Sequence, residues 1–336
     1  MSANVQTMII DGLPEFSVSE EKLSIVKPFE FQEDYANEFV FFLKPECFNT
    51  KNHQGTDEII KMIFSKFNEH NCIVSGAAFI SGEMIDTLEV MDKHYGYINK
   101  MSKNVSAMLT GEEKQRIGEA LGIANTSQYQ ILGGHEFLQA NTSFNPQTLD
   151  NFWKTKKSIK LRSGLYFQTY KYDQTDYILI NGFHPLQLEH YTDPKHKILL
   201  MLLQSNQSWK ILKDDLSGDT FPERANIGSI RAEILANKDY YQVDDVSVAN
   251  NFIHLSAGPF EGMFEIQNFL GSILGKSYKL ENVSMARKML KRGISTKIVN
   301  QMLSNPEIKT EQGMSDLFTL TENMNTQDAI EFSLNI

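Results

Sequence analysis

Continuous apolar runs alternate with runs of helical period along the chain. "EFVFFLKPE", Glu38 to Glu46, is apolar from Phe39 to Leu43 and closed by Pro45, the pattern of a strand buried on both faces. "TDEIIKMIFSKFNEH" then places Ile59, Ile60, Ile63, Phe64 and Phe67 on one helical face, with Thr56 as the expected N-cap. "CIVSGAAFI", Cys72 to Ile80, reads as a second strand. Ser81 caps an amphipathic helix that carries Met84, Ile85, Leu88 and Met91 and ends near "KHYGYI". Residues 1–37 are mixed, acidic and weakly patterned, and are expected to be an N-terminal extension.

From 98 to 176 the pattern loosens into a short helix at Gly111 to Leu121, a Gly133-Gly134 pair and the basic "KTKKSIKLRSG", which together read as an insertion. "GLYFQTYKY" and "DYILINGF" alternate as an antiparallel pair. "HKILLMLLQ", His196 to Gln204, is another core strand, "SNQSWKILKDDL" a short helix, and "SGDTFPERANIGSIRAEIL" a polar irregular segment. A last strand and helix lie in "NNFIHLSAGPFEGMFEI", residues 250–266, and 273–336 form a polar helical extension. Without the insertion, the core occupies 38–97 and 177–272. Its element order predicts an α+β fold, a split βαβ antiparallel sheet covered by helices on one face.

Composition narrows the function classes. The chain has 336 residues, 41% of them hydrophobic, enough for a substantial core. A formal net charge of -10 argues against nucleic acid or an anionic membrane as main partner. Two cysteines, Cys47 and Cys72, are too few for a disulfide framework or a four-thiolate metal site and suit a reducing compartment. The sequence shows no membrane-length apolar run and no signal-peptide pattern at its start, so the expectation is a cytoplasmic protein.

Most motif-like stretches have ordinary readings. "GSILGKS", Gly271 to Ser277, has its first glycine one residue too close for a phosphate-binding loop and follows a helix where such a loop follows a strand. His135 beside two glycines reads as loop chemistry, and His184, His190 and His196 as surface or satisfied partly buried histidines. His254 differs in its surroundings. It ends an apolar strand, Ser256 and a Gly258-Pro259 helix start follow, and Glu265 comes 11 residues on, about three helical turns away. A carboxylate there would orient the ring and raise its basicity, and helix-terminal amides would meet an anion, as a phosphate-directed nucleophile needs. Thr220, Arg224 and Arg231 add donors and cations from a loop too polar to be core.

Taken together these stretches resemble the nucleoside diphosphate kinase family. "FVFFLKPE" is similar to the family's strand ending in Lys-Pro-acid, and "KHYGYI" to its His-Tyr pair. "GDTFPERANIGSIRAEI" resembles its Gly-Glu-Thr-Asn-Pro through Gly-Thr-Ile-Arg-Gly-Asp segment, and "NFIHLSAGPFEGMFEI" its Asn-Ile-Ile-His-Gly-Ser-Asp signature. The resemblance, over roughly 38–96 and 196–272, implies a ferredoxin-like fold and a γ-phosphate exchange between nucleoside triphosphates and diphosphates through a phosphohistidine at His254. It further implies that Glu265 hydrogen-bonds that histidine, that Tyr95 and Ser256 lie beside it, and that Lys44, Thr220 and Arg231 contact phosphates. Asn251 would meet the sugar and Val248 the base. Magnesium would arrive on the nucleotide phosphates, with no direct protein ligand, and a homo-oligomer is left open. Leu255 stands where the family has glycine, and Ala257 where it has aspartate. The region before Gly218 lacks the second phosphate arginine, Lys213 being the nearest cation, and the base-stacking phenylalanine has no placed counterpart. A catalytically degenerate nucleotide-binding or scaffolding protein is the alternative these departures allow.

Overall fold

A computed structural model describes residues 2–31, 35–48, 53–162, 164–311 and 313–335. The stretches 1, 32–34, 49–52, 163, 312 and 336, which fall within the extension, core and insertion boundaries expected above, lie outside the described residues. The chain divides into two compact units, Met1–Met84 with Pro194–Ile336, and Ile85–Asp193.

The first unit is built on a five-stranded sheet. Its elements include, in chain order, α1 (Ser2–Val18), β1 (Leu23–Lys27), β2 (Asn37–Leu43), α2 (His53–Glu69), β3 (Ile73–Ser81), β4 (Lys197–Ser205), α3 (Ile230–Ala236), β5 (Ile253–Leu255) and α4 (Pro259–Leu274). The spatial order is β1-β3-β4-β2-β5, with every pairing antiparallel. All seven residues of β2 are buried, and so are eight of nine in β4, so both sheet faces are covered. On one face Phe39, Phe41, Leu43, Leu199, Met201 and Ile253 pack with Ile59, Ile63 and Phe67 of α2 and Ile9, Leu13 and Phe16 of α1. On the other, Phe42 meets Phe269 of α4, their ring centroids 5.6 Å apart.

Several expectations are corrected. The helices form two layers, where one covered face was expected, because the uninterrupted apolar runs of β2 and β4 give both faces an apolar surface. The N-terminal residues form α1 and edge strand β1, and Phe16 stacks on Phe79 of β3 at 5.3 Å. Thr56 is no N-cap: α2 starts three residues earlier, and the buried Thr56 hydroxyl donates to the Cys47 carbonyl at 2.9 Å. The helix after Ser81 is two pieces, Gly82–Thr87 and Val90–His94, parted at Glu89, whose φ is 51°. The C-terminal residues are anchored on β2. The Ser284 amide donates to Glu38 Oε2 at 2.8 Å, and the Thr326 amide to Asn37 Oδ1 at 2.9 Å. No helix among the described residues is long and apolar enough to cross a membrane.

The second unit holds a four-stranded sheet in the order Gln130–Gly133, Thr175–Ile180, Leu165–Tyr172, Ile159–Arg162, parallel in its first pair and antiparallel in the others. Its two faces alternate: Ile178 and Ile180 pack with Met101, Val105 and Phe167, while Tyr177 and Leu179 pack with Phe137, Leu149 and Trp153. The unit extends beyond 98–176 because His184, fully buried, sets its Nε2 3.1 Å from Asn99 Oδ1, tying the helix His184–Thr192 to the helix Gly96–Met108.

Candidate active site

The site of the first unit starts from β-register. β5 runs antiparallel to the end of β2, so His254 stands opposite Phe42 and Ile253 opposite Leu43. The two rings stack, with centroids 4.6 Å apart and planes 19° from parallel. Phe42 thus supports one face of the imidazole.

Past β5 the chain turns through Ser256 and Gly258 into α4, which Pro259 opens at a position where its missing N–H costs nothing. Glu265 then falls in the second turn of α4, closer than the three turns suggested by sequence separation. His254 Nε2 lies 2.7 Å from Glu265 Oε1, while Glu265 Oε2 accepts from the Ser256 hydroxyl at 2.5 Å. Ser256 Oγ in turn accepts the Val40 amide at 3.1 Å. With Glu265 ionised, the carboxylate only accepts, which would put the ring proton on Nε2 and the lone pair of a neutral imidazole on Nδ1. Glu265 is wholly buried; the His254 side chain keeps 18% exposure. At the start of α4 the Ala257 amide donates to Glu261 Oε2 at 3.2 Å, so a carboxylate of the chain itself already meets that amide.

Lys44 follows β2 and shares the face of Phe42. Its ammonium donates to Asn251 Oδ1 at 2.5 Å, and burial pushes its pKa down to about 8, with nearby Glu46 working the other way and Arg231 adding to the fall. The amide of Asn251 donates to the carbonyls of Thr220 (3.2 Å) and Val248 (3.1 Å), gathering three candidates around one side chain. Thr220 and Val248 are exposed.

Arg231, on α3, is buried and donates inward: to the Gly218 carbonyl at 2.6 Å, the Ser217 hydroxyl at 3.2 Å, the Ile253 carbonyl at 2.9 Å and the Asn251 carbonyl at 3.4 Å. Gly218 has a φ of 85°, and a Cβ there would lie 2.4 Å from Ser229 Oγ, so glycine is required where its carbonyl turns to Arg231. Lys213, nearest to the missing arginine position, pairs with Glu322. Tyr95 belongs to the second unit, its ring against His184 at 5.6 Å and Tyr191 at 6.1 Å.

One part of the site escaped sequence reasoning. Phe252, two residues before His254, has a φ of 68° although it is not glycine, and the Ile253 amide closes a tight turn onto the Asn251 carbonyl at 2.8 Å. Such a conformation costs of order 1–3 kcal/mol and persists only where its surroundings hold it. Glu46, buried, accepts the Phe252 amide at 2.9 Å, while the Phe252 carbonyl accepts from the Lys44 amide at 2.9 Å and from Cys47 Sγ at 3.0 Å. The acid after Pro45 was the available signal; the strain was not visible.

No family model and no curated relative matches the sequence. Among solved structures, the chain is similar to the nucleoside diphosphate kinase of Encephalitozoon cuniculi, at 14% identity over 77% of this chain and 99% of that one, with a TM-score of 0.33. It is likewise similar to an NDP kinase from Pyrobaculum aerophilum, at 14% identity over 69% and 94%, with a TM-score of 0.33. Likenesses this distant leave the chemistry to be read from the side chains.

Proposed function

We propose that the protein is a nucleoside diphosphate kinase-like phosphotransferase that moves the γ-phosphate of a magnesium-bound nucleoside triphosphate to a nucleoside diphosphate through a phosphohistidine at His254. The observation that carries this reading is the 2.7 Å contact of His254 Nε2 with buried Glu265, itself held by Ser256, which leaves the nucleophilic lone pair on the other ring nitrogen. The strands β2 to β5, in the order β3-β4-β2-β5, support a ferredoxin-like core.

In the first half-reaction Nδ1 attacks the γ-phosphorus. The N–P bond forms as the bridging P–O bond breaks, and the diphosphate leaves with the electron pair. The proton on Nε2 stays shared with Glu265, whose charge stabilises the cationic ring. A second diphosphate then reverses the step with its own terminal oxygen. Lys44, Thr220 and Arg231 would hold phosphates, Asn251 the sugar and Val248 the base.

A second reading is favoured by Arg231. Its guanidinium is committed to three backbone carbonyls and a hydroxyl of its own fold, the role of a strut, which suits a nucleotide-binding or scaffolding protein that has lost efficient transfer. Leu255 and Ala257 point the same way. A phosphate-exchange assay between unlike nucleotides, with the protein labelled from γ-labelled nucleoside triphosphate, separates the two. Transfer and label lost in His254→Ala support the kinase, whereas nucleotide binding without exchange supports the binder.

A further inference from the structure

We propose that Glu46 is a positioning residue of this site: by holding the Phe252 amide it maintains the strained turn that presents His254 to its substrate. The inference rests on the phosphotransfer reading and adds to it a residue that never touches the nucleotide.

The turn 251–253 is braced from two sides. From the end of β2, Glu46 Oε1 takes the Phe252 amide at 2.9 Å, and the amide of Lys44 and the thiol of Cys47 converge on the Phe252 carbonyl. From α3, Arg231 donates to the carbonyls of Asn251 and Ile253, on either side of the strained residue. Pro45 opens the short 3-10 turn Pro45–Phe48, which carries the Glu46 carboxylate to the Phe252 amide. Without an acceptor at position 46, a buried amide would lose its partner and Phe252 would relax toward the extended region that non-glycine residues prefer. Relaxation there redirects the next two residues. His254 would then leave both the face of Phe42 and the carboxylate of Glu265, the two contacts that fix the orientation of its ring.

Backbone strain and side-chain clamp can be separated by mutation. Glu46→Ala, measured well below the Lys44 pKa so that loss of the nearby carboxylate leaves the ammonium charged, is expected to lower the rate of phosphohistidine formation from nucleoside triphosphate about a hundredfold with little change in nucleotide KM, because the loss lies in orientation. Glu46→Gln, which keeps an acceptor oxygen, is expected to stay within about tenfold of the parent protein. The deciding variant combines Glu46→Ala with Phe252→Gly, since glycine adopts the turn without a clamp. It should recover about tenfold of the lost rate even though removal of the buried Phe252 ring lowers stability further. Histidine-ring ¹⁵N spectra of the full chain give a readout independent of turnover. Parent and double variant should show one protected Nε2–H signal for His254, and Glu46→Ala an averaged one. Unchanged rate and spectrum in Glu46→Ala, or losses that simply add in the double variant, overturn the proposal. Absence of phosphohistidine in the parent protein would instead count against the phosphotransfer reading, and the ring spectra alone would then decide the role of Glu46.

Discussion

His254 Nε2 and Glu265 Oε1 are 2.7 Å apart, the carboxylate wholly buried and the imidazole still 18% exposed. One partner is therefore part of the core while the other keeps a partly exposed edge. Glu265→Gln keeps the shape of the side chain and removes the charge that, on the proposed reading, would stabilise a phosphorylated ring. Its rate of phosphohistidine formation is expected to fall on the order of a hundredfold, measured by rapid-quench labelling. His254→Ala should take up no label.

Lys44 has a pKa pushed down to about 8 from its usual 10.5 by burial. The ammonium that would meet phosphate is present below that value and lost above it, so nucleotide affinity should decline as pH rises through about 8. Lys44→Met should lack this limb in a titration of Kd against pH. Stability should run the other way. The unfolded lysine holds its proton up to 10.5, so it binds more protons than the folded one between about 8 and 10.5, and this group adds stability as pH rises through that window.

Arg231 joins α3 to the chain before β5 through the carbonyls of Gly218, Asn251 and Ile253. Arg231→Lys cannot reproduce that fork, and it leaves buried acceptors short of donors. A destabilisation of about 3 kcal/mol is expected in urea unfolding. If phosphate exchange falls far more than stability explains, Arg231 also contacts the substrate.

In the second unit His135 and His184 lie with ring centroids 5.6 Å apart, and burial pushes both pKa values down to about 4. Each also feels Lys103, which lowers the value, and Asp92, which raises it; the charge of His184 further lowers His135, and the hydrogen bond to Gln187 partly offsets the fall at His184. Their unfolded counterparts titrate near 6.5, so the unfolded chain binds more protons in between, and stability is lost as pH falls from about 6.5 towards 4. Hydrogen exchange should show 85–193 losing protection between about pH 7 and pH 5. His184→Gln should flatten that dependence.

Much of the fold was legible because strand and helix periods are local properties. The apolar run Phe39 to Leu43 predicts a strand buried on both faces, and all seven residues of β2 are buried. The helix at Gly111 to Leu121 is there, with Thr110 capping it. What failed depended on partners. Residues 2–27 look weakly patterned, yet become α1 and β1 because Phe79 and its neighbours offer an apolar surface. Thr56 has the chemistry of a cap, yet bonds to Cys47 from inside the helix.

For the site, the sequence by itself determined the inventory: a histidine on a short apolar strand, a glutamate on the following helix, and a lysine and an acid around Pro45. Only the tertiary structure decided that Glu265 reaches His254 from its helix's second turn, that Arg231 turns inward, and that Phe252 adopts a left-handed conformation under Glu46. The physical reason is that residue types and their periods are written along the chain, whereas hydrogen bonds between residues far apart in sequence depend on strand pairing, which brings β5 beside β2 and sets their register.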